Sequence, residues 1–207
     1  MPGVSWIAAP IRKRCGMKAA FVIFNRMTAL DFIGVYDPVT RLKSMGLMPE
    51  FSWDICAFSR QVMDDRGLAF SPGSVGEPLR GYDLLIVPGG LGTRTLVGNA
   101  GFIEWLKTSA PCGLKASVCT GSLLLGAAGF LEGKRATTHP GASRELERYC
   151  RRVVNQRVVD EGDVVTAGGV TAAIDLGLHL VGRLVGEEGE ERIRRQMDYP
   201  DRQLTRG

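Results

Sequence analysis

The sequence predicts one α/β domain, in which an open and mostly parallel β-sheet lies between layers of helices. Three observations predict this class. Unbroken apolar runs of strand length recur along the chain, as is typical of strands covered on both faces. These runs alternate with segments of helical periodicity, and several end in glycine-rich turns. A chain of 207 residues, 44% of them hydrophobic, can bury one sizeable core but hardly a second.

The first half of the chain supplies three predicted strands and one long helix. Residues 19–24 (AAFVIF) form a buried first strand, and apolar residues at helical spacing then predict a helix with its C-cap at Gly46. The second strand lies at 51–59. Residues 61–75 carry the turn signals of a short antiparallel excursion, and the segment YDLLIVPGG, at 82–90, is the next buried strand.

The second half continues this alternation. We expect helices at 102–109, 121–133, 143–150 and 171–186, strands at 115–119 and 135–139, and a hairpin at 153–169. In sheets of this kind, ligands bind beyond the carboxyl ends of the strands. The domain organisation that we predict is a disordered extension at 1–16, one domain at 17–200 and a tail at 201–207.

Composition argues against several classes of function. The net charge of +4 is spread along the chain, and the run at 187–195 mixes both signs, which is typical of a solvated helix face rather than of a nucleic-acid surface. No apolar stretch reaches the roughly 20 residues of a membrane helix. The five cysteines are an odd, scattered set, and the two histidines lack metal-ligand spacing. We therefore expect a cytoplasmic protein without metal, cofactor, nucleic-acid partner or membrane partner.

Cys119 is the residue that points most clearly to chemistry. It directly follows a buried strand and precedes a helix that opens with Gly121 and Ser122, which is the arrangement of a nucleophile elbow. Because N–H groups at a helix start favour a thiolate, we expect a lowered pKa for this thiol. The alternative is a buried cysteine that packs as a small hydrophobic residue.

Two further segments follow strand ends and are expected near Cys119. The N–H groups of Gly90, in the PGG turn, and of Thr120 are candidates for an oxyanion hole, with a simple tight turn as the alternative. Asp31, in ALDFIG, is either the N-cap of its helix or an acid that partners the thiol. In the second case, burial and a neighbouring thiolate would raise the pKa of Asp31 toward neutrality.

The segments SVCTGSLLLGAAGFLEGKRATTH, LDFIG, VPGG and AGGVTAAID resemble the ThiJ/PfpI superfamily of class I glutamine amidotransferase-like proteins, and in particular its isonitrile hydratase branch. The likeness runs from about Met17 to Tyr199, and its specific marks are Thr120 directly after Cys119 and aspartate, rather than glutamate, at Asp31. The resemblance implies a flavodoxin-like three-layer sandwich, a homodimer, and catalytic roles for these three site residues. The positions that it implies for binding a small-molecule substrate are Ile33, Gly34, Gly89, Gly90, His139 and Gly169.

The function that this resemblance implies is that of a cysteine-dependent hydro-lyase converting an isonitrile to an N-substituted formamide. His139 keeps a rival open, because TTHP is similar to the deglycase branch, in which a histidine lies near the cysteine; we favour a packing or supporting role for it. The alternatives are a glyoxalase or deglycase acting on α-oxoaldehydes, and a non-enzymatic stress or ligand sensor. Because the sequence ends at Gly207, we expect no DNA-binding module after the domain.

Overall fold

A computed structural model describes residues 16–200 and shows a seven-stranded sheet with helices packed against it. The predicted extension lies outside these residues except for Gly16, and the predicted tail at 201–207 lies wholly outside them. The strands are β1 (Lys18–Ile23), β2 (Ser52–Ala57), β3 (Val62–Met63), β4 (Ala69–Phe70), β5 (Ser74–Val75), β6 (Leu84–Val87), β7 (Leu114–Val118), β8 (Arg135–Ala136), β9 (Arg152–Val153), β10 (Val158–Asp160) and β11 (Val164–Ala167). The helices are α1 (Ala29–Ser44), α2 (Thr93–Leu96), α3 (Ala100–Lys107), α4 (Gly121–Ala127), α5 (Ser143–Leu146) and α6 (Ala172–Gln196).

The order of strands in the large sheet is β10, β11, β7, β6, β1, β2, β5. Every neighbouring pair is parallel except β10 and β11, which form the predicted hairpin. The five main parallel strands, taken in chain order, therefore lie in the sequence 2-1-3-4-5, which is the flavodoxin-like arrangement. The predicted fold class is confirmed, and the loops after β1 and β6 meet at the point where strand order reverses.

The helix α1 is fixed in place by close packing against α6. A side chain at Gly34 would lie 2.6 Å from the Cβ of Ala173, and one at Gly177 would lie 2.3 Å from the Cγ of Pro38. The two glycines allow the helices to approach this closely, because any Cβ would force them apart. This contact sets the position of the first turn of α1, where Asp31 lies.

The structure differs from the sequence prediction at the end of α6. The helix was expected to end at Gly186, and the backbone does leave helical geometry there, with φ 85° and ψ 174°, but the helix resumes and reaches Gln196. Beyond the break, Glu190 and Arg194 form a buried ion pair at 2.8 Å. The prediction of a solvated face at 187–195 is therefore wrong for these two residues, whose i, i+4 spacing lets them pair inside the fold.

The predicted antiparallel excursion is present as the β3–β4 hairpin. It is hydrogen-bonded to the loop after β1: Arg26 N–H donates to the Met63 carbonyl at 2.7 Å, and Asp65 N–H donates to the Met27 carbonyl at 3.1 Å. The side chain of Asn25 accepts from Met63 N–H at 2.9 Å. The hairpin is thus held over the β1–α1 loop.

Among residues 16–200, no helix combines the length and the hydropathy needed to cross a membrane.

Candidate active site

Cys119 occupies a sharp turn between β7 and α4, as predicted. Its backbone lies in the left-handed region, at φ 54°, which costs a non-glycine residue about 1–2 kcal/mol. The surrounding fold holds it there. Its N–H donates to the carbonyls of Ala167 (3.0 Å) and Gly168 (2.8 Å), while its carbonyl accepts from the hydroxyls of Ser122 (3.1 Å) and Thr138 (3.0 Å). Backbone strain maintained in this way is typical of a nucleophile elbow.

Asp31 lies beside Cys119, in the first turn of α1, and is completely buried. Its Oδ2 accepts a hydrogen bond from Gly89 N–H at 2.9 Å, whereas its Oδ1 has no hydrogen-bond partner among the described residues. The N-cap of α1 is Thr28, so the alternative interpretation of Asp31 as the N-cap is wrong. A buried carboxylate oxygen left in this state is costly and is often found where a group must accept a proton or bind a ligand.

The electrostatics of the pair differ from the expectation in one respect. Burial raises the pKa of Asp31 from 3.8 to about 7, although Gly89 N–H and the Cys119 thiol lower it, and the charge of Asp65 raises it further. Burial, and next the negative charge of Asp31, raise the pKa of Cys119 from 9.0 to about 12. The predicted lowering is therefore wrong. Hydrogen bonds from Thr120 do favour the thiolate, but burial and the neighbouring carboxylate outweigh them.

Gly89 and Gly90 bring the β6 loop against both members of the pair. A Cβ at Gly89 would lie 2.6 Å from Thr120 N and 2.8 Å from Asp31 Oδ2, so this position has no room for a side chain. Gly90 N–H donates to the Thr120 hydroxyl at 2.9 Å. The predicted two-donor oxyanion hole is accordingly wrong in part, because the N–H of Gly90 already has a partner and only the Thr120 N–H faces the sulfur.

The other four predicted binding residues have different surroundings. His139 is exposed, and its Nδ1 accepts from Gly141 N–H at 3.1 Å, while Gly169 lies against the edge of the imidazole ring. Ile33 is on the surface of α1, 42% exposed. Gly34 faces α6 instead of the thiol. The structure thus brings together five of the nine predicted residues, namely Cys119, Asp31, Thr120, Gly89 and Gly90.

Sequence reasoning missed several residues that shape the site. Thr138 and Ser122 hold the Cys119 carbonyl. The only signal for Thr138 is its place before His139, and Ser122 was noted only as part of the helix start and not for this hydrogen bond. Asp65 acts on Asp31 from the β3–β4 hairpin, and nothing in the sequence connects the two segments. Within residues 16–200, no group of three or more histidine, cysteine, aspartate or glutamate side chains is placed to hold a metal ion.

Comparison with known proteins identifies the family of this chain. The model of the DJ-1/PfpI family matches residues 17–183. An isonitrile hydratase from Pseudomonas putida is 34% identical over 184 residues, which are 88% of this chain and 78% of that protein. The transcriptional regulator GbdR from Pseudomonas aeruginosa is 27% identical over 96% of this chain, but the match spans only 56% of the regulator.

Solved structures agree with the topology. A ThiJ/PfpI family protein from Pseudomonas syringae superposes with a TM-score of 0.82 at 29% identity, covering 100% of this chain and 85% of the other. DJ-1 from Schizosaccharomyces pombe superposes with a TM-score of 0.75 at 19% identity, covering 89% of this chain and 100% of the other, and so shares the fold. From the family match and the identity to the hydratase, we conclude that this chain belongs to the DJ-1/PfpI family.

Proposed function

We propose that this protein is a hydro-lyase that adds water to an isonitrile and releases an N-substituted formamide. The observation that carries the proposal is the pairing of a thiol with a buried carboxyl whose pKa is about 7. Such a carboxyl is half-protonated at neutral pH and can both give and take a proton. The similarity to the Pseudomonas putida isonitrile hydratase supports the choice of reaction.

The first step uses both members of the pair on one atom. The lone pair of the terminal isonitrile carbon takes the proton from the Asp31 carboxyl, and the sulfur of Cys119 forms a bond to the same carbon. The thiol proton passes to Asp31 and restores the acid. The product is a thioimidate, R–N=CH–S–Cys119, and the atoms of the thiol and the isonitrile are all accounted for.

The second step releases the product. The Asp31 carboxyl gives its proton to the imidate nitrogen, and the carboxylate so formed takes a proton from the water that adds to the thioimidate carbon, which gives R–NH–CH(OH)–S–Cys119. The carbon–sulfur bond then breaks as the hydroxyl proton passes to the leaving sulfur, and the product R–NH–CHO and the free thiol are released. The high pKa of Cys119 is compatible with this sequence, because the thiol proton has to move only to an adjacent carboxylate and not to solvent.

The charges around the pair favour a neutral substrate. The charged side chains that shift these two pKa values are carboxylates: Asp31 acts on Cys119, and Asp65 acts on Asp31. Thiol addition to an α-oxoaldehyde creates an alkoxide, which needs positive charge or several hydrogen-bond donors. Addition to an isonitrile creates no oxyanion. Because Gly90 N–H is already bonded to the Thr120 hydroxyl, it is not available to stabilise an alkoxide. The site therefore suits thiol addition to an isonitrile better than thiol addition to an α-oxoaldehyde.

The proposal is tested by incubating the protein separately with cyclohexyl isocyanide and with methylglyoxal, with product detection by mass spectrometry. We expect N-cyclohexylformamide from the wild type and at least a 100-fold loss for Cys119→Ala and for Asp31→Asn, the low end for general acid–base catalysis. His139→Ala should keep much of the activity, and Cys150→Ser is the matched cysteine control. Consumption of methylglyoxal that depends on His139, without formamide, would refute the proposal in favour of the glyoxalase.

We also propose that the active form is a homodimer. Four exposed apolar side chains lie on α1 and the adjoining β3–β4 hairpin, namely Leu30, Ile33, Met63 and Leu68. A patch of this kind usually marks an interface. Sedimentation velocity should give a dimer for the wild type and a monomer for Ile33→Lys; a monomeric wild type would refute the dimer.

The four cysteines within residues 16–200 are all free, as is usual for cytoplasmic proteins, and we propose that compartment.

A further inference from the structure

A cavity of about 270 Å³ opens at the carboxyl ends of β1 and β2, and its lining does not include Cys119 or Asp31. Its walls come from the β1–α1 loop, the residues after β2, and the α2–α3 region. The carboxyl edge of an open α/β sheet is where ligands bind in this class of fold. The volume lies near the lower end of the range for small-molecule sites, so a ligand with a single ring would fit.

One side of this cavity is aromatic. Phe102, which is buried, packs edge-to-face against Phe24 at a ring distance of 6.2 Å and against Phe58 at 6.0 Å. Phe58 remains 42% exposed, which is unusual for a ring that belongs to a cluster of this kind. A planar apolar group in the cavity would cover Phe58 and extend the aromatic cluster. Burial of apolar surface and favourable ring–ring geometry would both contribute to the binding free energy.

The lining also carries hydrogen-bond donors and a positive charge. Arg26 lines the cavity, and its guanidinium has no hydrogen bond or ion pair with any residue in 16–200. The carbonyl oxygen of the neighbouring Asn25 amide is engaged by Met63 N–H, which leaves the NH₂ group of that amide for a ligand. No aspartate or glutamate is among the lining residues. An anion with planar oxygens is the natural partner of an arginine beside an amide.

The backbone holds Arg26 in a conformation that presents it. Arg26 has φ 61°, in the left-handed region, and this conformation is maintained because its N–H is bonded to Met63 and its carbonyl accepts from Gly92 N–H at 3.0 Å. Gly92 is so close to this loop that a Cβ would lie 2.1 Å from the Asn25 carbonyl oxygen. The donors therefore belong to a rigid part of the fold rather than to a free loop.

We propose that this cavity binds a small aromatic carboxylate, with its ring against Phe58 and Phe102 and its carboxylate on Arg26 and Asn25. The cavity is separate from the proposed hydratase site, and the proposal that it binds a ligand does not depend on the proposed hydratase activity. Benzoate is the simplest probe of this chemistry, and benzamide is its neutral analogue of nearly the same shape.

The test is isothermal titration calorimetry of the full chain with benzoate. We expect saturable binding that weakens at least about ten-fold in Arg26→Asn, because a charge-assisted hydrogen bond is lost. Asparagine tolerates the left-handed backbone, so this variant is expected to fold. Phe58→Ala, at an exposed position, should weaken binding several-fold. Arg66→Asn, whose side chain is 83% exposed on the nearby hairpin, is the matched control and should bind as the wild type does.

Three results would overturn the inference. The first is the absence of saturable benzoate binding up to about 10 mM, a concentration that detects even a weak specific site. The second is equal binding of benzamide and benzoate, or unchanged benzoate binding in Arg26→Asn. The third is loss of benzoate binding on alkylation of Cys119 with binding retained in Arg26→Asn, which would place the ligand at the thiol instead.

Discussion

Replacing Asp31 with asparagine should stabilise the protein at alkaline pH while it abolishes the proposed reaction. The carboxyl is fully buried, and its pKa in the folded state is about 7, compared with 3.8 in an unfolded chain. Between these two values the folded state holds a proton that the unfolded state has lost. The free energy of unfolding therefore falls as pH rises through this window, from about pH 4 to about pH 7.

The size of the effect follows from the same two values. Each pH unit is worth about 1.4 kcal/mol, so the ionised Asp31 costs the folded state roughly 4 kcal/mol above pH 7, as an upper limit. Asparagine keeps an acceptor for Gly89 N–H and carries no charge. Asp31→Asn should thus exceed the wild type in stability by a few kcal/mol at pH 8 and lose this advantage near pH 4.

Urea unfolding at pH 4.5, 6 and 8 measures the effect directly. Asp37→Asn, on the same helix, is the matched control: Asp37 pairs with Arg41 at a half-exposed position, and its removal should change stability by no more than about 1 kcal/mol at any of these pH values. Equal stabilities of wild type and Asp31→Asn at pH 8, or an advantage that grows as the pH falls, would refute the assignment of a buried and perturbed carboxyl.

Three further predictions follow from the same geometry. In Gly89→Ala the new Cβ must displace its neighbours by about 0.7–0.9 Å to reach an ordinary contact distance, so the free energy of unfolding in urea should fall by about 1–3 kcal/mol. Gly81→Ala, with open space around the new Cβ, is the control and should stay within about 0.5 kcal/mol of the wild type. Asp65→Asn should stabilise the wild type at pH 8 but not the Asp31→Asn variant, because the repulsion it relieves needs both charges; equal effects in the two backgrounds of a double-mutant cycle would contradict this. Alkylation of Cys119 by iodoacetamide at pH 8, followed by peptide mass spectrometry, should be faster in Asp31→Asn, since the charge of Asp31 raises the thiol pKa. A slower reaction would contradict that raised pKa and would show that proton transfer to Asp31 also controls the reaction with iodoacetamide.

The sequence was informative wherever a feature is local. A buried strand can be recognised from its own run of apolar residues, as for β6 and β7. The turns that follow these two strands need glycine, so the elbow at Cys119 and the position of Gly89 could also be predicted. The break at Gly186 was likewise visible as a predicted helix end. Beyond the break α6 continues and contains a buried ion pair between Glu190 and Arg194, which a pattern of charges cannot distinguish from a solvated face.

What the sequence could not predict depends on contacts between distant segments. The donor at Gly90 is lost to the hydroxyl of Thr120, thirty positions away, and no local rule indicates that bond. The pKa of Cys119 was predicted in the wrong direction because the effect of a helix start is local, whereas the two larger influences, burial and the charge of Asp31, exist only after folding. The contribution of Asp65 similarly needs the hairpin to dock on the β1–α1 loop.

The strained residues of the fold offer an independent indication of where ligands act. Three non-glycine residues in the described part of the chain have positive φ: Arg26, Cys119 and Asp198. Asp198 follows the end of α6, where a left-handed residue closes the helix, so its conformation has a structural cause. Arg26 is the third residue of a turn that the Met27 N–H closes on the Phe24 carbonyl at 3.2 Å, and Cys119 lies in the turn between β7 and α4, so neither of these two ends a helix. Cys119 carries the thiol, and Arg26 lines the proposed benzoate cavity with a guanidinium that has no ion pair among residues 16–200. Strain persists where the surrounding structure enforces it, and both residues are held by hydrogen bonds to distant segments.

If Arg26→Gly, which relieves the strain, stabilises the protein by about 1 kcal/mol and removes benzoate binding, the left-handed conformation is retained for the ligand rather than for the fold. A destabilised Arg26→Gly variant would mean that the side chain itself supports the loop.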